Sequence, residues 1–175
     1  MVTGVQTCAL PIYLMDGALK RLLDLAEEKQ AVMTTGNKYS SWFKPVNFDF
    51  EKAKQETFIE GVKPLEGQTL RDRFVEMYSV QHFLIRRDFV MEHELSFDTT
   101  TRFYSDMTFC VKLLKLASGK MWVDGDSLYI WRHRNDQIHL PALCQKKRGH
   151  RSGEFLDAYD KCLHIIKQIG RASCR

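Results

Sequence analysis

The sequence predicts an α/β domain in which a mixed sheet is flanked by helices, and three observations carry that expectation. Stretches with three-and-four apolar spacing alternate along the chain with short runs rich in β-branched and aromatic residues, the pattern of a sheet covered by helices. The clearest helix spans residues 105–117, where Met107, Cys110, Val111, Leu114 and Ala117 fall on one face. No apolar run approaches the ~20 residues needed to span a bilayer, and there is neither an internal repeat nor a low-complexity tract.

Taken in order, residues 13–29 read as an amphipathic helix with Leu19, Leu22, Leu23 and Ala26 on one side and Asp16 as its cap. Residues 31–43 are rich in β-formers and predict a strand running into polar turns. Residues 44–69 mix Pro, Gly and charge, an insertion-like loop with room for a short helix near 50–58. A short helix over 70–78, a strand over 79–85 and a helix over 86–95 follow, the last with Phe89, Val90 and His93 inward. Beyond the central helix, Ser118 and Gly119 supply a C-cap. Residues 120–124 and 127–133 then read as two strands around a glycine turn, with Asp124 and Asp126 as turn residues. A basic linker, 145–153, leads to a closing helix over 154–168 with Phe155, Ala158, Cys162 and Ile165 on its inner face.

The two ends differ from the rest. Residues 1–12, MVTGVQTCALPI, carry no charge and no period, and they lack the basic start and long apolar run of a signal peptide. They resemble an in-frame translation of a sequencing-library adapter, as does the terminal IGRASCR, residues 169–175. Setting both aside leaves Tyr13–Gln168, 156 residues expected to be an internal piece of a longer protein. With Arg171 and Arg175 removed, 24 basic residues face 22 acids, and a net charge of +2 gives no support for a dedicated nucleic-acid binder. The remaining cysteines, Cys110, Cys144 and Cys162, form no C-x-x-C pair, which suggests neither a disulfide framework nor a zinc site and fits a reducing cytoplasm.

Several side chains invite two readings. Ser105 and Asp106 open the central helix, where a carboxylate either caps the free N–H groups or serves as a base beside a loop. Tyr39 and Trp42 either pack or stack on a sugar ring. Arg86 either grips a phosphate or simply begins a solvated helix. Arg132, His133 and Arg134 form the densest cationic cluster after the central helix, either a solvated strand end or a cradle for developing negative charge, with His133 as a candidate metal ligand. His82 and His93 lie too far apart in the sequence to predict a metal site.

Three segments carry a resemblance in their order. FLIRRDFVMEHELSF, YSDMTFCVKLL and SLYIWRHRND, within residues 83–138, resemble the acceptor-side half of a family 2 glycosyltransferase, with Ser105 where that family usually has Glu and Asp106 in the place of its base. The resemblance implies a partial GT-A type, Rossmann-like domain over 13–144, followed by the linker and closing helix over 145–168. It implies an inverting hexosyltransferase that moves a sugar from a nucleotide-sugar donor to a hydroxyl on a glycan or lipid-linked acceptor, in cell-surface polysaccharide synthesis. Asp106 would be catalytic; Arg86, Trp42, Arg132 and Arg134 would bind substrate; His133 would approach the metal. A divalent cation, Mg or Mn, would be held mainly by a missing N-terminal half, so that the piece alone would be inactive. The expected location is the cytoplasm, with peripheral contact at the inner face of the membrane left open. The contrasting possibility is a non-enzymatic module that binds an anionic polymer through Arg132–Arg134 and Lys146–Arg151.

Overall fold

The computed structural model describes residues 12–41, 59–67, 69, 80–101, 103–132 and 151–172. The strands are β1 (Ile12–Leu14), β2 (Met33–Ser41), β3 (Val62–Pro64), β4 (Phe83–Ile85) and β5 (Met121–Arg132). The helices are α1 (Ala18–Glu28), α2 (Arg87–Glu92), α3 (Ser105–Leu116) and α4 (Arg151–Ala172), with a 3-10 turn over Val80–His82. The architecture is α/β with a mixed, open sheet, as the alternating periodicity predicts. Its strands run in the order β1-β5-β2-β4, and β3 shares the outer edge of β5 with β1.

β5 is the spine. It runs parallel to β2 from Met33↔Met121 to Ser41↔Arg132, and its other edge pairs antiparallel with β3 at 122–124 and with β1 at 129–131. β4 closes the far edge antiparallel to β2, from Met33↔Ile85 to Thr35↔Phe83. Successive residues of a strand face opposite sides of the sheet, and β2 shows both faces covered. Met33 joins a cluster with Phe89, Leu95, Phe109, Leu113, Ala117 and Met121, so α2 and α3 lie on that face. Thr34 donates from Oγ1 to the carbonyl of Leu22 at 2.9 Å, which places α1 on the other.

Where two strands around a glycine turn are expected over 120–133, β5 is one continuous strand. Its ladder with β2 jumps from Gly36↔Asp124 to Asn37↔Leu128, so residues 125–127 bulge out of register. The reason is a set of polar groups that hold the excursion in place. Arg21 of α1 forks onto Asp124, Nε to Oδ2 at 2.9 Å and Nη2 to Oδ1 at 3.1 Å, and Nη2 also reaches Asp126 at 3.0 Å. Ser127 Oγ donates to the same carboxylate at 2.7 Å, and the Asp126 N–H adds a bond at 3.0 Å. From the other side, the amide of Asn37 donates to the carbonyls of Gly125 (2.6 Å) and Ile59 (3.0 Å) and accepts from the Ile59 N–H. Asp124 is therefore a buried structural anchor, 2 % exposed, rather than a turn residue. The backbones press so closely here that a Cβ on Gly36 would strike the Ser127 carbonyl and one on Gly125 the Ile59 carbonyl.

Other expectations shift by smaller amounts. α1 starts at Ala18, behind a left-handed Gly17 (φ 76°) with no side-chain cap, because residues 12–14 pair with β5 first; Asp16 does not cap it. Regular structure thus takes in Ile12 at one end and residues 169–172 at the other. The most buried side of α3 is Phe109, Cys110, Leu113 and Ala117 rather than the stripe through Met107, Val111 and Leu114, because the sheet side and α4 together cover more than one stripe. In α4, Ala158 and Cys162 are buried as expected, but Phe155 stays 43 % exposed against Tyr104. β3 falls inside the expected loop. The expected helices over 50–58 and 70–78 lie outside the described residues, apart from fragments of their surroundings.

The Arg21–Asp124 fork generates a stability prediction. Burial works against ionisation of Asp124, but Arg21, Ser127 and the Asp126 N–H outweigh it and hold the carboxyl below its ordinary value. A carboxyl lowered in the fold stabilises above its unfolded value, about pH 4, and that contribution fades as pH falls through the lowered one. Arg21→Met strands the buried charge and should cost about 2 kcal/mol at pH 7, less than for a fully buried pair because the guanidinium is half exposed. Urea titrations should show the gap between wild type and variant narrowing as pH drops below about 4.

Candidate functional site

The candidate site forms where the start of α3 meets the carboxyl-terminal half of β2. In open α/β sheets the carboxyl ends of parallel strands are where loops diverge and leave a crevice, and β2 and β5 both end on that side, at Ser41 and Arg132. Asp106 is the second residue of α3 and partly buried. The helix is preceded by Tyr104, whose side chain makes no capping hydrogen bond. Asp106 accepts from a first-turn N–H, as a capping carboxylate does, and also from a second segment, which a cap does not require. Its carboxylate takes hydrogen bonds from its own N–H and from the Val80 N–H in the 3-10 turn, with Lys38 of β2 as the nearby charge.

Burial pushes the Asp106 carboxyl above its ordinary value, against the downward pull of those two N–H groups and of Lys38. The cause is that desolvation disfavours the charged form. Such a carboxylate binds a proton more strongly than an exposed one.

The surrounding floor is polar for an interior. Thr35 Oγ1 donates to the His82 carbonyl at 3.1 Å, and His82 sits edge-on to Phe83 (4.6 Å between ring centres) and 6.0 Å from Tyr129. Tyr129 is in register with Lys38. It is buried, its hydroxyl has no hydrogen-bond partner among the described residues, and burial raises its phenol above the ordinary value. Lys38, His82 and Tyr129 escape sequence reasoning because no spacing links them; only the parallel pairing of β2 with β5 and the antiparallel return of β4 bring them together.

The other predicted residues divide. Arg86 sits at the opposite end of the Val80–Ile85 segment from the Asp106 contact, its N–H bonded to the Val32 carbonyl at the start of β2. Its guanidinium is spent on Asp88, Nε to Oδ1 at 3.0 Å and Nη2 to Oδ2 at 2.6 Å, so the structure does not bring it to Asp106. Arg132 ends β5 beside Ser41, on the same sheet end as Lys38, through its backbone register. The Arg132 side chain, Trp42, His133 and Arg134 lie outside the described residues. Among the described residues no group of three His, Cys, Asp or Glu side chains is placed to hold a metal ion.

The environment of Asp106 makes a testable difference. A carboxyl raised by burial contributes favourably only below its ordinary value near pH 4, and that contribution is lost as pH rises through the raised one. Asp106→Asn should therefore melt at the same temperature as wild type, or a higher one, at pH 8. A melting point several degrees lower would mark Asp106 as a structural anchor. No protein-family model matches the chain, and no curated protein matches it.

Proposed function

We propose that this chain is the acceptor-side part of an inverting, family 2 glycosyltransferase with a GT-A type fold. In that role it moves a sugar from a nucleotide-activated donor to a hydroxyl of a glycan or lipid-linked acceptor in cell-surface polysaccharide synthesis, on the cytoplasmic side of the membrane. The observation that carries it is Asp106, a partly buried carboxylate raised in basicity at the end of the sheet where the parallel strands finish.

The chemistry asks for one proton acceptor on the acceptor side. As the acceptor hydroxyl oxygen attacks the anomeric carbon, Asp106 takes its proton. The bond from that carbon to the diphosphate oxygen breaks, the electron pair leaves with the phosphate, and the configuration inverts. A base is most effective when its proton affinity is tuned toward working pH, and burial moves Asp106 in that direction. Arg132 is the last residue of β5, with His133 and Arg134 directly after it in the chain. Cations there suit the charge that builds on the departing diphosphate. The donor and its divalent cation belong with the donor-binding half that this proposal implies.

Two measurements test the proposal. Isothermal titration of this chain with nucleotide diphosphate sugars and manganese should show no micromolar binding; micromolar affinity would contradict a donor site housed elsewhere. In the longer chain that carries the donor half, Asp106→Asn should lower kcat by about 100-fold or more with folding intact. Turnover near wild type by that variant would remove Asp106 from the reaction.

A further inference from the structure

The buried polar side chains of β2 and of the β5 bulge have partners that the fold supplies. Thr34 Oγ1 donates to the Leu22 carbonyl, Thr35 Oγ1 to the His82 carbonyl and Ser127 Oγ to Asp124. The Asn37 amide bonds across the bulge to Gly125 and Ile59. Tyr129 differs. It is 3 % exposed, and its hydroxyl has no hydrogen-bond partner among the described residues. An apolar ring would fill the same space, so the fold gains nothing from the oxygen. It loses by burying it, since an unpartnered hydroxyl forfeits its bonds to water. Buried groups of this kind call for a reason outside packing.

Its position points to the reason. Tyr129 lies past the bulge in register with Lys38, and its ring centre is 6.0 Å from that of His82. His82 ends the 3-10 turn whose first residue, Val80, gives its N–H to the Asp106 carboxylate. Lys38 is the charge that acts on the same carboxylate. Tyr129 is thus linked to the candidate base by two routes, across the ladder through Lys38 and along the turn through His82. Burial raises the phenol above its ordinary value, so it keeps its proton at neutral pH and can donate. A neutral donor with a cation at the adjoining ladder position suits an oxygen with lone pairs, such as a sugar hydroxyl. The turn and the three-residue edge strand after it pair with β2 only at 83–85. A segment held so briefly opens at lower cost than a central strand, which gives a ligand a way to the enclosed hydroxyl.

We infer that the Tyr129 hydroxyl is a substrate-binding group, donating a hydrogen bond to a second oxygen of the acceptor whose reacting hydroxyl Asp106 deprotonates. This rests on the transferase proposal and narrows its substrate. The acceptor is a sugar or another polyol, which carries oxygens on neighbouring carbons, rather than a simple alcohol.

Tyr129→Phe removes one oxygen and keeps the ring, so it separates binding from packing. This chain with that substitution should melt no lower than wild type, because no bond within the fold is lost. A drop of several degrees would show the hydroxyl bonded inside the fold and overturn the inference. In the longer chain that carries the donor half, transfer is measured to the methyl glycosides of glucose, galactose and mannose, with 1-propanol as the simple alcohol. Tyr129→Phe should raise KM for the best glycoside by about tenfold while kcat stays within about threefold of wild type. A wild-type KM in the folded variant would refute the role of the hydroxyl. No transfer to any glycoside, or equal transfer to 1-propanol, would refute the polyol assignment. Asp106→Asn tells the two failures apart. If it loses turnover while Tyr129→Phe keeps a wild-type KM, only this inference falls. If it turns over normally, the transferase proposal falls and takes the inference with it.

Discussion

The structure depends on one constraint, the buried carboxylate of Asp124 in the middle of its longest strand. A charge 2 % exposed must be compensated, and it is, by Arg21 from α1, by Ser127 and by the Asp126 N–H. Meeting those partners forces residues 125–127 out of the β2–β5 ladder. The excursion divides β5 into two lengths. One pairs with β3 and the other with β1, so four strands and the first helix are located by a single polar knot. Asn37 completes it from β2 by bonding across the gap to Gly125 and Ile59.

The candidate site is downstream of that knot in a mechanical sense. Past the bulge, the restored register sets Tyr129 against Lys38, and the same β2 strand carries the charge that faces Asp106. A change in the number of bulged residues would move every later residue of β5 along its partner, and an odd change would turn each side chain to the opposite face. Arg132 would then no longer end beside Ser41. Rigid polar anchoring in the sheet and a desolvated carboxylate at its end are thus parts of one arrangement. α3 joins them, because Phe109 and Leu113 bury it on the sheet while its first turn stays near the surface.

α4 has a different standing. It rests on α3 through small side chains, Ala158 and Cys162, and on a loop through the Lys161–Asp98 pair. Thr100 and Lys161 hold Asp98 down to about 2, so this tie persists well into acid. The two buried thiols, Cys110 and Cys162, are raised by desolvation, which makes them poor thiolates and packing residues in effect. On its other side Leu156, Tyr159, Leu163 and Ile166 are exposed.

The sequence by itself determined the alternation of helix and strand, the position of α3 and of the strands β2 and β4, and the placing of a carboxylate at the start of the central helix. These are local properties, since periodicity and terminal residues act within a few positions of each other. It also singled out Asp106, by motif order. Only the tertiary structure decided that Asp124 anchors a bulge, that Arg86 is committed to Asp88, that Phe155 is exposed, and that Tyr129 stands in register with Lys38, the charge that acts on Asp106. The Arg86–Asp88 pair spans two positions, but the bulge anchor depends on residues 103 positions apart, Arg21 and Asp124. A linear pattern carries no record of such pairing. It arises only when the strands align and each buried polar group has found a partner.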